Sequence, residues 1–139
     1  MQNRLATSLA VLTLALAGQA WAETPVLTAT CPRAGDINQH PGSEGYTYDA
    51  KGPGGSQWTG ENPETGIEYK VAFVSASYKA STQAVICDYE GDGDAGIRLT
   101  LKAVQDWKPS QDTDWKDGFC KSGETSRCGF SYSALITTQ

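Results

Sequence analysis

The chain has 139 residues, with 16 Asp and Glu against 11 Lys and Arg, and a net charge of −5 at pH 7. An acidic surface repels phosphate backbones and anionic lipid, which sets nucleic acid and membrane surfaces aside and leaves basic proteins and cations as the favoured partners. The length suits one domain and is short for two.

Residues 1–22 carry one basic residue, Arg4, then a mostly apolar run from Leu5 to Ala17, and close on Ala20-Trp21-Ala22. This is the three-part pattern of a secretory signal with an A-x-A cleavage site, so maturation is expected after Ala22. Thr7, Ser8, Thr13 and Gln19 interrupt or flank the run, whereas a membrane span needs about 20 apolar residues. No membrane insertion is expected after cleavage, and the location is periplasmic or secreted. The remaining 23–139 unit loses only Arg4 among charged residues, so its net charge becomes −6.

Cys31, Cys87, Cys120 and Cys128 all lie in that unit. An even count in an oxidising compartment reads as two disulfides, for which sequence allows three pairings. A local clip Cys120–Cys128 with a long-range Cys31–Cys87 tie is the favoured one. Zinc is disfavoured, because no two cysteines have C-x-x-C spacing and His40 stands alone.

In chain order, Glu23–Thr30 has modest β character and no anchor, so a ragged end is expected. Cys31-Pro32 fixes an extended turn. A short helical turn near Asp36-Ile37 ends at His40-Pro41-Gly42. Tyr46 and Tyr48 mark one face of a short strand, and 51–56, rich in glycine, is a loop. Trp58 inserts into the core from a short strand bounded by a second turn cluster at 61–66.

The centre of the chain runs from Tyr69 to Lys102. Apolar residues on both faces of 71–76 predict a strand buried on nearly both sides, and the β-branched run at 84–89 predicts a second. Ile97, Leu99 and Leu101 alternate with Arg98, Thr100 and Lys102, so the third strand has one dry and one wet face. The acidic, glycine-rich stretch 90–96 closes the hairpin between the last two. A final strand is expected within 128–136, and no amphipathic helix longer than about two turns emerges. The fold class is all-β or β-dominated: a small antiparallel, sandwich- or barrel-like single domain over 23–139, with two disulfides.

The order Cys31-Pro32, Trp58-x-Gly60, Cys87-x-Tyr89, Leu99-x-Leu101, Trp115, Cys120 and Cys128-x-Phe130 resembles a group of small exported, disulfide-containing proteins of Gram-negative bacteria. The resemblance spans nearly all of 23–139 and implies one exported, disulfide-bearing domain. It implies no catalytic residue.

No catalytic set is recognisable from the residues. His40 is the one possible histidine base, no G-x-S-x-G elbow is present, and paired cysteines leave no thiol nucleophile. Asp88, Glu90, Asp92, Gly93 and Asp94 fall at positions 1, 3, 5, 6 and 7 of a calcium loop, whose clustered carboxylates a divalent cation would relieve. The twelfth position, however, is Leu99, so calcium is a weak candidate beside a solvated hairpin tip. Trp107 and Trp115 offer a platform for sugar rings or a protein anchor. The leading expectation is a binding protein of inhibitor or immunity type, with no cofactor, engaging a protein partner through its acidic surface. A carbohydrate- or cell-wall-binding module built on Trp107 and Trp115 is the alternative, and a small hydrolase built on paired carboxylates ranks third.

Overall fold

The computed structural model describes residues 26–62 and 68–136. The expected signal segment 1–22 and most of the turn expected over 61–66 lie outside the described residues. Among these there are short strands and three 3-10 turns, with no α-helix. Every strand pairing is antiparallel, so the β-dominated class read from the sequence is what the chain adopts.

Two meanders make the main sheet. The first comprises β2 (Asn38–Gly42), β3 (Gly45–Lys51) and β4 (Gln57–Asn62); the second comprises β5 (Val71–Lys79), β6 (Ala84–Gly91) and β7 (Gly96–Leu101). They fuse where β4 meets β7, with Thr59 opposite Thr100. β10 (Trp115–Lys116) and β11 (Phe119–Lys121) extend the sheet beyond β5, giving the order β10-β11-β5-β6-β7-β4-β3-β2. A three-stranded sheet, β1 (Leu27–Ala29), β12 (Phe130–Tyr132) and β9 (Lys108–Pro109), and a pair, β8 (Val104–Gln105) with β13 (Ala134–Leu135), complete the fold.

The register decides which side chains are buried. Cross-strand pairs Val85 with Leu101, Cys87 with Leu99 and Tyr89 with Ile97 put one face of β6 and β7 inward, and all six are at most 3% exposed. Trp58 and Tyr48 extend that inner face, and Val104, Phe130 and Tyr132 from the small sheets join the same buried cluster. Each such side chain contributes about 1.5–3 kcal/mol on leaving water, so slipping β7 by one residue is strongly opposed.

Both disulfides form in the favoured pairing. Cys31–Cys87 fastens the segment after β1 to the middle of β6, with Cα atoms 5.9 Å apart. Beside it the Tyr89 hydroxyl donates to the Pro32 carbonyl at 2.6 Å, so the same segment is held twice. Cys120–Cys128 clips β11 to the 3-10 turn that precedes β12, with Cα atoms 5.7 Å apart.

Two local expectations are corrected. His40-Pro41-Gly42 does not end a turn but lies within β2, after a 3-10 turn at Ala34–Asp36. β2 is the outermost strand of the sheet, the position where a proline is tolerated because an edge needs only one set of ladder bonds. Leu27–Ala29 is not ragged either: it pairs residue for residue with β12, Leu27 opposite Tyr132.

Candidate functional site

An antiparallel meander returns alternate connections to the same end of the sheet, and here that rule concentrates carboxylates. The β2–β3 turn carries Glu44, the end of β4 carries Glu61, the approach to β5 carries Glu68, and the β6–β7 hairpin carries Glu90, Asp92 and Asp94. The register confirms the common end, since Val71 opposes Gly91, Glu90 opposes Gly96 and Tyr46 opposes Asn62. Lys70 is the cation beside them, and Arg98 is already engaged by Asp88.

Specific contacts fix this end. The Gln39 side-chain amide brackets Tyr69 as a strand partner would, donating to its carbonyl at 2.8 Å and accepting from its N–H at 3.0 Å. Asn62 donates to the Tyr69 hydroxyl at 3.3 Å. On the other side, Gly91 passes so close to the chain that a Cβ there would lie 2.1 Å from the Lys70 carbonyl oxygen. Segment 68–70 is thus pinned between β2 and the acidic hairpin. The hairpin itself turns through Gly93, whose φ of 62° suits glycine, and closes with Gly91 N–H donating to the Ala95 carbonyl at 3.0 Å.

Three shallow hollows open on this end. One of about 490 Å³ has Glu68, Asp92 and Asp94 around Tyr69 and Lys70. A second, about 340 Å³, brings Glu61, Asp88 and Glu90 beside Arg98, and a third, about 360 Å³, lies between Glu44 and Glu61. The carboxylates form a rim over several elements rather than a cage within one loop.

The calcium-loop candidates Asp88, Glu90, Asp92 and Asp94 divide between a strand and the hairpin tip. Asp88 belongs to β6 and accepts from Arg98 Nε at 2.7 Å and Nη2 at 3.2 Å. The pairing raises the Arg98 pKa, through the Asp88 hydrogen bond first and its charge second. Among the described residues no three His, Cys, Asp or Glu side chains converge as a metal site. Loop spacing alone did not reveal this, because Asp88 and Glu90 occupy a strand whose pleat fixes their direction.

Trp107 and Trp115 come together, but not as an open platform. Trp107 stacks on Tyr78, with centroids 4.5 Å apart and planes at 3°, and meets Trp115 edge-on at 4.8 Å and 78°. Both indoles are half-buried against the core. The Trp115 indole N–H donates to the Gly129 carbonyl at 2.9 Å. Their visible work is to lock the connection before β9 and the β10 strand against β5.

His40 lies on β2 with Nε2 2.8 Å from Asp49 Oδ2, while Asn38 donates to Oδ1 at 2.9 Å. The Asn38 amide, aided by His40, holds the Asp49 carboxyl below its ordinary range.

Sequence reasoning named the hairpin acids but not Glu44, Glu61 and Glu68, which join them only through the topology. The usable signal was the count of strands between turns, which assigns each connection to one end. Comparison with known protein families, curated proteins and solved structures finds no match for this chain.

Proposed function

We propose that this is an exported binding protein, of inhibitor or immunity-like type, that engages a basic protein through the acidic end of its main sheet. The observation that carries the reading is the collection of Glu44, Glu61, Glu68, Glu90, Asp92 and Asp94 at one end, rigidly backed by β2, β4 and the hairpin. Two disulfides and a buried aromatic core supply a preorganised surface, which lowers the ordering cost of binding. They also suit an oxidising location outside the cytoplasm. No described helix is long and apolar enough to cross a membrane.

Such a surface steers an oppositely charged partner and sets its rate of encounter more than its final affinity. The steering fades as salt shortens the Debye length from about 10 Å at 0.1 M to about 3 Å at 1 M. The test is capture on immobilised oxidised protein from envelope and culture fractions, at low and high salt, read by mass spectrometry. One dominant basic protein retained at low salt and reduced at high salt is the expected result. Equal capture at both ionic strengths, or retention of acidic proteins only, would refute the electrostatic reading.

A further inference from the structure

The outward face of the sheet carries the opposite character near its β10–β11 edge. The register places Lys116 opposite Phe119, Phe119 opposite Ser77, and Lys121 opposite Ser75, so these side chains share the face turned away from the core. Lys79, two residues beyond Ser77 on β5, falls on that face as well. The three lysines are exposed, none forms an ion pair among the described residues, and Phe119 leaves 47% of its surface open to solvent. A large exposed aromatic ringed by unpaired cations has the make-up of an interface anchor, apolar at the centre and charged at the rim. Acids on the flanking elements include Asp88, ion-paired with Arg98, Asp114, ion-paired with Arg127, and Asp117 in the β10–β11 turn.

We infer that Phe119 with Lys79, Lys116 and Lys121 is a docking surface for a second copy of this chain, which presents its acidic end to it. Two surfaces of the same molecule are complementary in charge. The lysine-bearing face calls for an anionic counterpart, and the acidic end provides one in the hollow of about 490 Å³ where Glu68, Asp92 and Asp94 surround Tyr69. A nucleic acid or anionic membrane is the poorer occupant, since the net charge of −5 opposes a dense polyanion at every approach. Between two copies the net repulsion is weaker than against a dense polyanion and is largely screened beyond about 8 Å at physiological salt, so the opposed local patches decide the contact. Unlike patches meet, so the contact is heterologous unless both are used at once across a two-fold axis. This rests on the reading of the acidic end as a protein-binding surface.

The experiment is sedimentation velocity of the purified oxidised protein at low and high salt, with three variants. Wild type is expected to self-associate at low salt and dissociate at high salt. Lys116→Glu with Lys121→Glu, and separately Asp92→Lys with Asp94→Lys, should each weaken association about tenfold or more. Mixing the two charge-reversed proteins should restore it, which no folding defect could produce. Phe119→Ser should weaken association without changing its salt dependence. A wild type that remains monomeric at low salt, or charge-reversed proteins that fail to rescue each other, would overturn the inference. Continued capture of a different basic protein by the monomer would leave the proposed function standing.

Discussion

Gly60 offers the sharpest test of how the two meanders become one sheet. It sits in β4 directly against β7, where a Cβ would lie 2.0 Å from the Arg98 carbonyl oxygen and 3.5 Å from the Leu99 side chain. An ordinary contact needs about 3.4 Å, so Gly60→Ala must push the two backbones apart by more than 1 Å. The Thr59–Thr100 pairing is the one that would give way. Overpacking of this kind costs about 1–3 kcal/mol, and weakening one or two seam hydrogen bonds adds about 0.5–1.5 kcal/mol each. The reduced freedom of the unfolded chain returns about 0.4–1 kcal/mol. The net loss is about 2–4 kcal/mol, or roughly 8–16 °C in Tm for a domain of this size. Thermal and urea unfolding with both disulfides intact measures it. Gly123→Ala is the control, because its Cβ would meet nothing within 4 Å and should change stability by less than about 0.5 kcal/mol. A Gly60→Ala protein melting within about 2 °C of wild type would refute the close β4–β7 approach.

Further outcomes follow from the same structure. Removing Cys31–Cys87 as a double Ser variant should cost about 4 kcal/mol and removing Cys120–Cys128 about 2.5 kcal/mol, because their sequence separations are 56 and 8; equal losses in chemical denaturation would contradict that ordering. Tyr89 has its pKa raised first by burial and then by the Asp36 and Asp88 charges, and burial also raises Tyr48 and Tyr132. Folded values above the unfolded value of about 10 mean that full stability holds below pH 10 and declines as pH rises beyond it. Tyr89→Phe, which loses the bond to Pro32, should flatten this alkaline decline while lowering stability near pH 8; an unchanged pH profile would count against Tyr89 as its source. Calcium should leave Tm unmoved, because Asp88 is committed to Arg98 and the remaining acids are spread over several elements; a rise abolished by Asp92→Asn with Asp94→Asn would restore the calcium reading.

How much of this was legible depends on the range of the interactions involved. The 71–101 region was readable because β5, β6 and β7 pair with neighbours in sequence, and alternation in Ile97, Leu99 and Leu101 reports the dry face directly. Trp58 was placed by the turns around it, and the cysteine pairing by the contrast between one local and one distant partner. β2 was hidden because Pro41 and Gly42 carry turn signals that an edge strand tolerates. β1 was hidden because three residues show no period, and its partner β12 lies about a hundred residues away. The β10–β11 hairpin did leave a cue: Asp117-Gly118 is a favoured two-residue turn pair, and both residues have positive φ, 52° and 79°. Strands of two and three residues are too short for alternation to support it.

For the site, composition announced acidity but not its concentration. Glu44, Glu61 and Glu68 join Glu90, Asp92 and Asp94 only after β4 finds β7, a pairing between residues some forty positions apart. The same distance obscured Trp107 and Trp115. Their Asp and Lys neighbours suggested exposure, yet Tyr78, on a strand that precedes them by about thirty residues, supplies the face on which Trp107 stacks.

The acidic end, a rim assembled by the topology, is the proposed binding surface. Its most direct test is quantitative capture at low salt by wild type and by a variant with Glu68→Gln, Glu90→Gln, Asp92→Asn and Asp94→Asn, after both are shown to melt at similar temperatures. The dominant basic protein held by wild type is expected to fall by about tenfold or more on the variant. Undiminished capture by the neutralised protein would contradict it and would move the binding surface elsewhere on the domain.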